Sequence, residues 1–178
     1  MIVSTLAVSI LPSLAVAQAA PVAQAFRDVA ATDAKNLVAA AEKMPADKYA
    51  FKPTPAQMTF AGIVVHLSGG NDQLCGAIGN MKPPTRTPIT EAAGKDALVA
   101  RLKETFDFCQ QALAHLDDSG LTAPITMFGQ TMTRAGFEME TVGDWSDHYS
   151  QAAVYLRLNG ELPPTAKPPK PAAKKPGT

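Results

Sequence analysis

The chain has 178 residues, 46% of them hydrophobic, and its 16 basic and 16 acidic side chains balance to zero formal net charge. That length suits one domain with a real core rather than two. The balance of charge argues against a nucleic-acid surface, and against any partner selected by a large charge of either sign.

Much of the apolar content is alanine, leucine is scattered through it and β-branched residues are sparse, a composition that favours helix. Residues 1–19 read as a secretory leader. Ile2 to Val16 is mostly apolar, but Pro12 breaks it, and it is too short to span a bilayer stably. Ala15-Val16-Ala17 and Ala17-Gln18-Ala19 each give the small-x-small pattern cut by signal peptidase. No Lys or Arg lies near the N-terminus, so an uncleaved N-terminal helix is the alternative. The expectation is an exported protein, periplasmic or secreted, with no stable membrane span in its mature form.

A first helix is predicted from Val22 to about Met44, where Phe26, Val29, Ala30, Leu37, Val38 and Ala41 fall near a 3.6-residue period. Pro45 ends it. Tyr49 and Phe51, in the connector that follows, should tuck against the bundle. The second helix is predicted to start at Thr54, with Pro55 in the first turn and Gln57 completing a capping box. It carries Phe60, Ile63, Val64, Leu67, Leu74 and Ile78 on one stripe and ends near Gly79. Residues 80–90 contain Pro83, Pro84 and Pro88 and read as an extended crossing, longer than a tight helical hairpin requires.

The third helix is predicted to begin at about Glu91 or Lys95 and to reach His115, with Leu98, Leu102, Thr105, Phe106, Cys109 and Leu113 on one side. Asp117 to Thr131 reads as irregular, with turn signals at Asp118-Ser119-Gly120 and Phe128-Gly129. The fourth helix runs from about Thr133 to Asn159, and Gly160 stops it in the manner of a C′ glycine. The bundle is expected over residues 20–162. Residues 163–178 form a Pro/Lys/Ala-rich tail expected to be disordered. The whole is an all-α, four-helix bundle, and the long crossing suggests parallel second and third helices, giving up-down-down-up topology.

The two cysteines fit that topology. Cys75 and Cys109 both lie toward the C-terminal ends of their helices, which parallel packing brings together. In an exported protein an even number of cysteines favours a disulfide joining two helices over a redox pair, since no C-x-x-C is present. The absence of C-x-x-C-H removes covalently attached haem from the candidates.

Three residues carry the chemistry. Asp144 and His148 stand at i and i+4, on one face of the fourth helix about one turn apart. His66 lies beside the apolar stripe of the second helix, with Gly62 and Gly70 one turn away on either side, a spacing that suggests room kept around it. Two imidazoles and one carboxylate leave coordination positions open, which metal-assisted chemistry needs. The plain alternatives are a packed histidine and an ordinary helical charge pair. Glu140 and Asp147 are rival carboxylates: Glu140 is two turns from His148, and Asp147 points about 100° away.

Two segments resemble a known family. Phe51-x-Pro53-x-Pro55-x-x-Met58-Thr59-Phe60, followed by His66, is one. Asp144-x-x-Asp147-His148-Tyr149-x-Gln151-x-x-x-Tyr155-Leu156-Arg157-x-Asn159-Gly160-x-x-Pro163-Pro164 is the other. Together they look like the DinB/YfiT-like superfamily, most closely its exported members. The resemblance implies a four-helix bundle of up-down-down-up topology. It also implies a divalent metal between a histidine of the second helix, matched by His66, and an H-x-x-x-H pair on the fourth, matched at its last position by His148. Asp144 stands where the family commonly has histidine. An aspartate there gives a harder, more anionic site that can still take zinc, nickel, iron or manganese.

The reading favoured on these grounds is an exported metal-dependent enzyme, hydrolase-type with transferase chemistry as the other option, acting on a small molecule. No general base is apparent, with Asp147 and Tyr149 as the nearest titratable neighbours. The alternatives are a non-catalytic metal- or ligand-binding bundle tied to stress response, and a metal-free helical interaction module. A homodimer is a further option for its assembly.

Overall fold

The computed structural model describes residues 20–167. The expected leader and the tail from residue 168 onward lie outside the described residues. Four helices make the body: α1 (Pro21–Lys43), α2 (Phe60–Ile78), α3 (Lys95–Leu113) and α4 (Arg134–Leu158). Between α3 and α4 stands a two-stranded antiparallel hairpin, β1 (Pro124–Met127) and β2 (Gln130–Thr133).

Side-chain pairs fix the helix directions. Thr59 bonds Glu91, Asn71 bonds Thr105 and Cys75 bonds Cys109, so residue numbers rise together and α2 and α3 run parallel. Asp33 meets Ser146 and Lys43 meets Glu161, so α1 and α4 are also parallel. Met58 pairs with Tyr155 and Asn71 with Trp145, so α2 and α4 are antiparallel. The topology is up-down-down-up.

The apolar stripes predicted for the helices meet at the centre. Every residue of the predicted α3 stripe is buried, and Phe60, Ile63, Val64, Leu67 and Ile78 of α2 are buried against it. Trp145 of α4 meets Phe106 of α3 edge-on, with ring centroids 5.0 Å apart. Gly79, at the end of α2, lies so close to α3 that an added Cβ would sit 2.1 Å from the Ala112 carbonyl oxygen. The same approach allows the Cys75–Cys109 disulfide, with α-carbons 5.0 Å apart. Crosslinking residues 34 apart in sequence stabilises the fold by about 3–4 kcal/mol through the unfolded chain.

The crossing after α2 is extended, as predicted, and is pinned by Arg86. Its guanidinium holds Asp72 of α2 as well as the side chain and backbone carbonyl of Glu104 in α3. At the end of α4, Gly160 has φ +79°, its amide bonds the Arg157 carbonyl, and the Glu161 amide bonds that of Leu156. This is the Schellman arrangement expected of a C′ glycine.

Three sequence expectations differ from what is observed. α2 begins at Phe60 rather than Thr54: Thr59 is its N-cap and accepts from the Gly62 amide at 2.8 Å. Thr54 and Gln57 close only a local turn. The reason lies in the preceding loop, where the carbonyls of Phe51 and Tyr49 take the amides of Phe60 and Ala61 and so set the helix start.

The second difference is the hairpin, in a stretch read as irregular. Ile125, Met127 and Met132 turn inward onto the core, while Thr126 and Thr131 join hydroxyls on the outer face. Its two-residue turn, Phe128-Gly129, has φ of 52° and 77°, the pattern of a type I′ turn. A phenylalanine in that left-handed conformation costs roughly 1–2 kcal/mol. The third concerns the bundle's end. Pro163 is buried and Thr165 bonds the Tyr149 hydroxyl, so contact with α4 reaches Thr165, past the expected boundary at residue 162.

Candidate metal centre

His66, Asp144 and His148 come together where α2 and α4 cross in opposite directions. Their potential ligand atoms all lie within 4.8 Å of one another. The register that brings them together is held on both sides. The Trp145 indole donates to Asn71 Oδ1 at 3.0 Å, and the Tyr155 hydroxyl donates to the Met58 carbonyl at 2.9 Å. His148 is buried, Asp144 half-buried and His66 exposed, so the trio grades from core to solvent.

His148 Nε2 lies 3.4 Å from Asp144 Oδ1, and the His66 and His148 rings are 4.8 Å apart. Adjacent ligands about 2.0–2.2 Å from a tetrahedral ion lie about 3.4 Å apart, so Asp144 and His148 already have that spacing. His66, exposed at the rim, can reach the same spacing by rotating its side chain. Two imidazoles and a carboxylate suit zinc, nickel, iron or manganese. The cluster could therefore bind a divalent ion, and the residues fit the group.

Electrostatics agree. The His148 imidazole holds the Asp144 carboxyl below its ordinary range, against the opposing effect of burial. Reciprocally, Asp144 pushes His148 up, again against burial. An ion and a proton thus compete for His148, because ligation needs the neutral ring. Its Nδ1 is buried without a hydrogen-bond partner among the described residues, and the Gln151 side chain lies beside the ring.

The rival carboxylates are separated by their surroundings. Asp147 is outside the trio and accepts from the Gln151 amide at 2.7 Å. Tyr149 is engaged by Thr165. Glu140 is also outside the trio, yet it lines a cavity of about 230 Å³ that opens onto His66 and Asp144. It shares those walls with Leu67, Phe128 and Phe137. Periodicity could have placed Glu140 one turn from Asp144; the cavity between them depends on the hairpin and had no sequence signal.

The two glycines near His66 have different roles. A Cβ at Gly62 would meet Thr59 Oγ1 and Glu91 Oε1 at 3.2 Å, so that glycine makes room for the helix cap. Gly70 lines the cavity, and a Cβ there would meet only Leu74, at 3.7 Å. Of the two, Gly70 is the one that lines the cavity.

An up-down-down-up bundle with two histidines and a carboxylate converging from its second and fourth helices defines the class of protein. Residues 30–171 match the family model of the DinB superfamily, and the chain belongs to that superfamily. A DinB-like protein of Bacillus cereus shares the fold with a TM-score of 0.67 at 16% identity, over 81% of this chain and 97% of that one. A DinB-like protein of Bacillus subtilis gives 0.63 at 20% identity, over 78% and 93%. A conserved protein of Enterococcus faecalis gives 0.60 at 17%, over 76% and 95%. Comparison with curated proteins finds no match. Among the described residues no helix is long and apolar enough to cross a membrane.

Proposed function

We propose that this chain is an exported metal-dependent hydrolase of small molecules, its divalent ion held by His66, Asp144 and His148. The observation that carries the reading is the convergence of the three ligand atoms within 4.8 Å at the edge of a cavity. Export is supported by the leader-like N-terminus and by a buried disulfide, which belongs in an oxidising compartment.

When bound, such an ion polarises a substrate oxygen and lowers the pKa of a coordinated water. Around it the chain supplies two neutral donors and one anionic donor, so one positive charge remains to act on substrate. Glu140, exposed on the cavity wall, takes the proton of the attacking water on its carboxylate and returns it to the leaving group. Leu67, Leu74, Phe128 and Phe137 supply the apolar part of the lining.

A second reading, metal binding without catalysis, is favoured by the cavity itself. Its volume of about 230 Å³ lies under the range of about 300–1,000 Å³ usual for drug-sized ligands. Turnover of small esters and amides by the metal-loaded protein separates the two. Glu140→Gln should lower kcat by about 10²–10⁴-fold with bound metal unchanged. Turnover undiminished in His148→Ala would assign the activity elsewhere, and no turnover of any substrate would leave the binding reading.

A further inference from the structure

The hairpin tip holds an aromatic residue where backbone and solvent both disfavour one. The first central position of a type I′ turn is ordinarily Asn, Asp or Gly, because φ is positive there. Phe128 occupies it at φ 52° with 68% of its surface exposed, so core burial does not offset the strain. Strain of this kind persists where the surrounding structure enforces it, and it clusters at ligand-binding sites. Here the enforcing structure is the β1–β2 ladder, which packs on α2 and α4 and sets the tip beside the cavity of His66 and Asp144.

The cavity has two characters. Its lining includes four apolar side chains, Phe128, Leu67, Leu74 and Phe137. It also includes His66, Asn71 and Thr141 and two carboxylates, Asp144 and Glu140. At about 230 Å³ it holds the equivalent of roughly seven or eight waters at ~30 Å³ each, enough for one ring with a short polar arm. With no ion bound, the two carboxylates disfavour an anionic arm.

We infer that Phe128 is the specificity wall of this site, and that the site takes a small uncharged molecule whose flat apolar group lies against the Phe128 ring while its carbonyl or amide faces His66 and Asp144. The inference rests on the reading of this cavity as the substrate site, but not on a metal being bound. Benzamide is a suitable probe, with acetamide as the control lacking a ring. Backbone amide shifts of the full mature chain, followed by NMR during titration, should move at Gly70, Phe137 and Thr141 with benzamide and much less with acetamide. Phe128→Ala should weaken benzamide binding by roughly fivefold. Phe128→Asn, which suits the turn, should melt at a higher temperature than the natural chain and bind as weakly as the alanine variant.

Equal benzamide affinity in all three proteins, or no shifts in the natural chain, would overturn the inference. So would a lower melting temperature for Phe128→Asn, which would make Phe128 a structural residue. Metal content measured on the same samples keeps the two readings apart. Loss of metal with benzamide selectivity intact counts against the metal centre alone, and retained metal without selectivity counts against Phe128 alone.

Discussion

At His148, burial, an Asp144 oxygen 3.4 Å from Nε2 and the nearby His66 ring together determine what one side chain can do. The Asp144–His148 pair was legible in the sequence because i,i+4 spacing is a local property of a helix. His66 was marked locally only by the glycines one turn away on either side, and the resemblance to a family strengthened it as a ligand. Phe128 and Glu140 were not legible as cavity residues, because the wall they share exists only when the hairpin has folded back on α4.

Glu138 is a second case hidden from sequence. Its carboxyl is buried, neither oxygen has a hydrogen-bond partner among the described residues, and burial pushes it above the ordinary carboxylate range. A carboxyl raised in the folded state binds its proton more tightly there than when unfolded. Stability is therefore greatest below the unfolded pKa and is lost as pH rises through the folded one. Glu138→Gln should accordingly gain stability over the natural chain at pH 8, by about 1–3 kcal/mol, and the gain should shrink toward pH 4. Urea unfolding at the two pH values measures it, and a gain independent of pH would contradict the burial argument.

Among the elements, the helices were read from periodicity with the right number and order; in the stripes Val29 proved exposed, and the other errors fell at helix ends. Thr54-Pro55-x-Gln57 has the residues of a helix start, but the chain uses Thr59 because the 49–51 loop offers carbonyls to the amides of Phe60 and Ala61. Capping patterns are local, whereas the partner that selects among them is tertiary. Thr59→Ala should cost about 1 kcal/mol, and Thr54→Ala under about 0.5 kcal/mol, by chemical denaturation. Equal costs would return the start of α2 to Thr54. The hairpin was missed for a different reason. Its strands have four residues each and its turn is Phe-Gly, so neither a long alternation nor an Asn-Gly signal was present.

Across the whole molecule, parallel packing of α2 and α3 was legible from two features that agree: a crossing rich in proline, and two cysteines at corresponding ends of their helices. The disulfide and the Arg86 clasp show both used in the fold. The same topology places α2 and α4 antiparallel across the core, bringing His66 to a pair nearly eighty residues away in sequence. Metal analysis of tag-free protein tests that convergence most directly. About one divalent ion per natural chain is expected, with strongly reduced metal in both His148→Ala and Asp144→Ala. Equal, near-zero metal in all three proteins would contradict it.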